Sequence, residues 1–122
     1  DDKRTPNISD DTIAEFSSRG PVGVRIKPDV VAPGVKVISV NAYKEYKSGQ
    51  RSIPSAVPYT TMSGTSVATP VVSGSAVLLL EKYPTWKPNQ VKEALMDNAI
   101  PIVKNNNAEG KGLINLEKII ID

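Results

Sequence analysis

Ser66 stands between Gly64-Thr65 and Val67-Ala68-Thr69-Pro70, at the end of a polar loop and the head of an uncharged run that reaches Leu80. A hydroxyl in that place could act as a nucleophile. The first amides of a helix have no acceptor within it, and the helix dipole adds partial positive charge there. An oxyanion forming beside such a serine would be stabilised. Gly64 lets the backbone approach a substrate closely, because it carries no side chain. Pro70 removes an N–H close to where the helix is being established. The same residues also spell an ordinary helix start, with Thr65 or Ser66 as N-cap, and a short Gly-x-Ser match is weak alone. A serine nucleophile normally needs a base, yet the chain contains no histidine. These facts together point to one part of a serine hydrolase rather than all of it.

Several elements must position that serine. Residues 1–15 are polar and charged, around Pro6 and the Asp10-Asp11 pair, and read as a loop or a frayed end. Phe16-Ser17-Ser18-Arg19-Gly20-Pro21 is turn-rich. Lys27-Pro28-Asp29-Val30-Val31-Ala32-Pro33-Gly34 sets two valines between prolines, which predicts a short buried strand. Val35–Val40 is β-branched and predicts the next strand, and Val57–Met62 an extended return. Between them, residues 41–56 suggest a hairpin or surface excursion with a turn at Ser48-Gly49.

From Ser66 to Tyr83 the pattern predicts a long helix buried on most sides. Pro84 stops it, and Pro88 opens a second helix to about Asn98. There Val91, Ala94, Leu95 and Asn98-Ala99 share one face, leaving Lys92, Glu93 and Asp97 toward water. Residues 104–112 read as a polar loop, and Asn115 as the cap of a short final helix through Ile120.

Composition removes other functions. The 122 residues suit one compact domain, and hydrophobic content of 39% leaves a full core of its own unassured. A net charge of +2, from 15 basic and 13 acidic residues with no basic stripe, argues against a nucleic-acid partner. No cysteine is present, which excludes disulfides and thiolate metal sites. Calcium, which needs only oxygen ligands, stays open, although no acidic cluster has a calcium-loop spacing. The uncharged run Val67–Leu80 is too short to span a bilayer. The chain opens on Asp1-Asp2-Lys3-Arg4 without an initiator Met and reads as an excised segment.

Gly64-Thr65-Ser66-Val67-Ala68-Thr69-Pro70 resembles the serine signature of the subtilisin-like (subtilase) peptidases. Four further stretches match in the same order: Phe16–Pro21 and Pro28–Gly34 before it, then Tyr83-Pro84 with Trp86 and Gln90-Val91, and Gly110-Lys111-Gly112-Leu113-Ile114-Asn115 after it. The likeness covers residues 12–117. It implies an α/β fold, the C-terminal portion of a doubly wound parallel-sheet domain with a long buried helix after the nucleophile. It implies a serine endopeptidase with Ser66 as acylating nucleophile, its amide holding the oxyanion and Thr65 a supporting neighbour. Ser63 and Gly64 would lie along the substrate backbone. This sequence has Ser63 where the family often has Asn, Val67 where it often has Met, and Val71 where it usually has a non-catalytic His.

In that family the triad runs Asp, His, Ser along the chain. The resemblance therefore puts the Asp, the His, the oxyanion Asn and most of the sheet before Asp1. Residues 1–122 would form a C-terminal fragment of one catalytic domain, inactive alone and completed by the missing N-terminal part. The expected partner is a polypeptide substrate. Family membership implies secretion as the common fate, with an intracellular role as the alternative, and calcium as a cofactor that some members bind. Cutting such a sheet would uncover apolar faces, so the fragment is expected to self-associate. A Ser–Lys dyad with Lys27 or Lys36 is the weaker chemical alternative, because the family does not place those segments beside the serine. Asp29 reads as a structural hydrogen-bond acceptor and Trp86 as a packing residue. The alternative of another class is a non-catalytic subtilase-like binding or structural module.

Overall fold

The computed structural model describes residues 1–41 and 58–121, so the turn expected at Ser48-Gly49 lies outside the described residues. Two strands, β1 (Val37–Val40) and β2 (Tyr59–Met62), pair antiparallel with Val37 opposite Met62 and Val40 opposite Tyr59. Four helices follow: α1 (Thr65–Lys82), α2 (Pro88–Asp97), α3 (Asn106–Glu109) and α4 (Glu117–Ile120). The content is mixed α and β, as expected. Among the described residues the one parallel pairing is a single bridge, Val31 with Leu113, beside an antiparallel bridge from Ile100 to Leu113.

The long helix forms where expected, and Pro84 ends it by keeping Tyr83 out of the helical region (φ −126°, ψ 71°). Its hydroxyls turn back on their own helix: Thr69 Oγ1 donates to the Thr65 carbonyl, Ser73 Oγ to Thr69, and buried Ser75 Oγ to Val71 at 2.8 Å. Burial differs from expectation. Only Ser75 and Leu79 of α1 are buried, while Val77 is 65% exposed and Leu78 and Leu80 are also exposed. The cause is that α2 and α4 pack against one side of α1 alone.

The core lies on that side. Leu79, Val91, Leu95 and Ile119 are buried together, with Val72, Ala76, Tyr83, Trp86 and Ile114 packed around them. The stripe on α2 is as the spacing predicts: Val91 and Leu95 inside, Lys92, Glu93 and Asp97 outside. Trp86 stacks on Tyr83 with centroids 4.1 Å apart, a packing role. Lys82 Nζ donates to the Ile120 carbonyl, favourable at a helix C-terminus.

Residues 1–15 are the expected loop, with a 3-10 turn over Ile8–Asp10 and the Thr12 amide donating to the Asp1 carbonyl at 3.0 Å. Three expectations are corrected. Val30 and Val31 are only half-buried and make one bridge rather than a strand. The segment 104–112 is not all loop, because Asn105 caps α3 by accepting from the Asn107 amide. Asn115 does not cap α4. Leu116 is the N-cap, already helical at φ −74°, ψ −33°, so the chain enters without the extended residue that a side-chain cap needs.

Candidate active site

Gly64, rather than Thr65 or Ser66, is the N-cap of α1, and no side chain caps the helix. Its carbonyl accepts from the Val67 amide at 3.0 Å and the Ala68 amide at 3.2 Å. The amides of Thr65 and Ser66 have no acceptor among the described residues. Ser66 is solvent-exposed at the second position of the helix. Pro70 has no N–H, so the Ser66 carbonyl also lacks its usual helical donor four residues on. The opening turn therefore presents an exposed hydroxyl beside free amides, where the helix dipole is positive.

A short segment holds this turn from beneath. The Gly34 carbonyl accepts the Gly64 amide at 2.8 Å, and Ser63 Oγ accepts the Lys36 amide at 2.7 Å. The two segments touch so closely that a Cβ on Gly34 would stand 2.9 Å from the Gly64 oxygen and 3.1 Å from Ala68 Cβ. A Cβ on Gly64 would stand 3.0 Å from Ser66 Oγ, so a side chain there would crowd the hydroxyl. Ser63, Gly64, Thr65 and Ser66 thus form one continuous, supported turn. The Ser63 hydroxyl is already engaged by the chain itself. Gly34 was not singled out as a site neighbour by sequence reasoning. The small-residue set Gly34, Gly64 and Ala68 is the available signal, but Gly34 lies 30 residues before Gly64.

Two apolar clefts flank α1. One, of about 500 Å³, is lined by Phe16, Val31, Gly34, Thr65, Ala68 and Val72. The other, of about 510 Å³, is lined by Val72, Ala76, Leu80, Trp86, Val91 and Leu95. Ser66 lines neither.

Asp29 is tied up elsewhere: its carboxylate takes Lys27 Nζ at 2.6 Å and Lys92 Nζ at 3.2 Å. The Lys27 hydrogen bond, aided by Lys92 and outweighing partial burial, holds its carboxyl below the usual range. Lys27 is committed to this cluster. Among the described residues no group of three His, Cys, Asp or Glu side chains converges on a metal position.

Residues 6–116 match the sequence profile of the Subtilase family. The chain is 43% identical over 124 residues to Serine protease AprX of Bacillus subtilis, covering 98% of this chain and 28% of that protein. It is 33% identical over 111 residues to Subtilisin-like protease SBT1.9 of Arabidopsis thaliana, covering 88% of this chain and 15% of the relative. Its structure is similar to that of fervidolysin from Fervidobacterium pennivorans, a keratinolytic enzyme related to subtilisin, with a TM-score of 0.60 at 28% identity over 74% of this chain and 14% of that one. The chain belongs to the subtilase family of serine proteases. It spans less than a third of the length of the relatives it matches.

Proposed function

We propose that residues 1–122 are the nucleophile-bearing C-terminal part of a subtilisin-like serine endopeptidase domain. The carrying observation is Ser66: exposed, at the head of an 18-residue helix, with its own amide unpaired. In this reading Ser66 Oγ attacks the carbonyl carbon of a peptide bond while a base removes its proton. The Ser66 amide donates to the oxyanion, Thr65 supports it, and the backbone of Ser63 and Gly64 runs along the substrate. The base then passes that proton to the leaving nitrogen, and collapse expels the amine and leaves an acyl-serine, which water hydrolyses.

The base has to come from outside this chain, which holds no histidine. The His, its orienting Asp and the oxyanion Asn belong to the rest of the domain, together with the remaining strands of a doubly wound parallel sheet that would bury α1 on its other faces. The isolated chain is accordingly inactive. The substrate is a polypeptide, and secretion is the favoured fate, with an intracellular role the alternative. No described helix is long and apolar enough to cross a membrane. Calcium, which some family members bind, stays a candidate cofactor of the whole domain; among the described residues no three acidic side chains converge on a cation position.

The test is a peptidase assay on the full-length protein and on residues 1–122, each with and without Ser66→Ala. Turnover by the full-length protein that the substitution abolishes is expected. Turnover by the isolated chain that is lost in Ser66→Ala would overturn its inactivity. A full-length protein without turnover would favour the alternative reading, a non-catalytic binding or structural module.

A further inference from the structure

Glu109 is 1% exposed, and no step of the chemistry above uses it. Its carboxylate is fully engaged by backbone. Oε2 accepts from the amides of Ile102 at 2.7 Å and Val103 at 3.1 Å, and Oε1 accepts from Asn105 at 3.1 Å. Its own carbonyl accepts the Gly112 amide at 3.0 Å. One side chain thus fixes the loop before α3 and the turn after it.

That turn is docked on the segment beneath the serine. At Gly110 (φ +63°) a Cβ would stand 2.2 Å from the Pro28 oxygen, so the two backbones are in direct contact. Lys111 donates its amide to Asp29 at 3.0 Å, Val31 donates to Gly112 at 2.9 Å, and Ile114 donates to Val31 at 3.0 Å. Three residues beyond Val31 is Gly34, whose carbonyl receives Gly64, and two further is Lys36, which binds Ser63. The path from the buried carboxylate to the Ser63–Ser66 turn runs through hydrogen bonds and tight backbone contacts, joined between Val31 and Gly34 by the chain itself.

We propose that Glu109 is a positioning residue for Ser66. Its carboxylate clamps the 102–105 loop and the 110–112 turn, the turn sets the 29–36 segment, and that segment sets the height of the Ser63–Ser66 turn. This assignment rests on the peptidase reading for its consequence in catalysis but not for its mechanical content. A glutamine at this position keeps the shape and puts an N–H₂ against one of the amides that the carboxylate accepts.

The experiment is hydrogen–deuterium exchange, read by mass spectrometry on the full-length protein, with and without Glu109→Gln. Exchange in peptides spanning 100–105, 28–36 and 60–68 is expected to rise about threefold or more beyond whatever rise 88–97 on α2 shows from the overall loss of stability. With a cleaved peptide as substrate, kcat is expected to fall about tenfold or more at unchanged KM. Faster exchange confined to 100–105 would overturn the proposal, as would an even rise that includes 88–97, which marks general destabilisation. If Glu109→Gln does not fold, Glu109→Asp is measured instead. It keeps the charge and shortens the reach by one methylene, and the same ordering of peptides is expected. A full-length protein with no peptidase activity removes the catalytic reading, and the exchange pattern then decides the Glu109 assignment alone.

Discussion

The Gly34 carbonyl receives the Gly64 amide at 2.8 Å, joining the segment after Pro33 to the turn that carries Ser66. The contact leaves no room for a side chain, since a Cβ on Gly34 would meet the Gly64 oxygen at 2.9 Å. Both neighbours of that Cβ belong to the turn or to the first turn of α1, so neither can move without moving Ser66. Gly34→Ala is therefore expected to lower kcat in the full-length protein more than it lowers stability. Overpacking of this kind costs about 1–3 kcal/mol. Steady-state kinetics beside a denaturant curve check it, and unchanged kcat with reduced stability would go against the expectation.

Leu79 has no exposed surface and sits where α1 meets α2 and α4. Leu79→Ala removes the centre of a small core, and such truncations cost about 2–5 kcal/mol. Val77→Ala, two residues away at 65% exposure, is expected to cost far less. Chemical denaturation of the two variants in parallel measures the difference, and equal losses would mean that α1 buries a different face.

How far these contacts can be read from residues alone varies with their range. The two long helices are legible because Pro84 and Pro88 punctuate them and the apolar spacing on α2 repeats along one face. The β-branched run at Val37–Val40 announces β1 in the same way. The serine's place at a helix head is legible from small residues followed by an uncharged run. The support beneath it is not, because Gly34–Gly64 and Lys36–Ser63 join residues far apart in sequence through backbone groups, which every residue carries. Glu109 is not legible for a related reason: it lies in a polar stretch, and its burial is made possible by amides rather than by a charged partner. The one-sided burial of α1 is hidden because an uncharged sequence specifies that apolar cover is wanted, not which elements supply it.

Two carboxylates should make stability depend on pH. Burial would raise the Glu109 pKa, but hydrogen bonds from the Ile102, Val103, Asn105 and Lys104 amides outweigh it and hold the group below its usual range. Asp29 is lowered in the same direction, chiefly by Lys27. A folded-state pKa below the unfolded one means that the unfolded chain takes up protons first as pH falls. The contribution is thus complete above the ordinary carboxylate range, near pH 4, and is lost as pH drops through that range toward the lowered values. Urea midpoints measured between about pH 7 and pH 3 should fall on acidification, and Glu109→Gln should flatten part of that slope while costing about 1–3 kcal/mol at neutral pH. A slope unchanged by the substitution would show that Glu109 does not supply it. The Asp29 pair with Lys92 is about one-third and one-half exposed, so Lys92→Ala should change stability by about 1 kcal/mol or less.

The apolar surface of this chain carries a last expectation. Ile38 and Val40 on β1, Met62 on β2, and Val77, Leu78 and Leu80 on α1 are all exposed. Burying such side chains gains about 25 cal/mol per Å² of apolar surface, so a second copy could supply the cover that α1 otherwise lacks. β1 and β2 pair only with each other among the described residues, which leaves backbone groups on both outer edges for intermolecular pairing. Residues 1–122 alone are therefore expected to self-associate, with an apparent mass that rises with concentration in size-exclusion chromatography with light scattering. Val77→Lys together with Leu80→Lys should shift that equilibrium toward monomer by placing like charges on the apolar face. A monomer at every concentration would mean that these faces are tolerated in water.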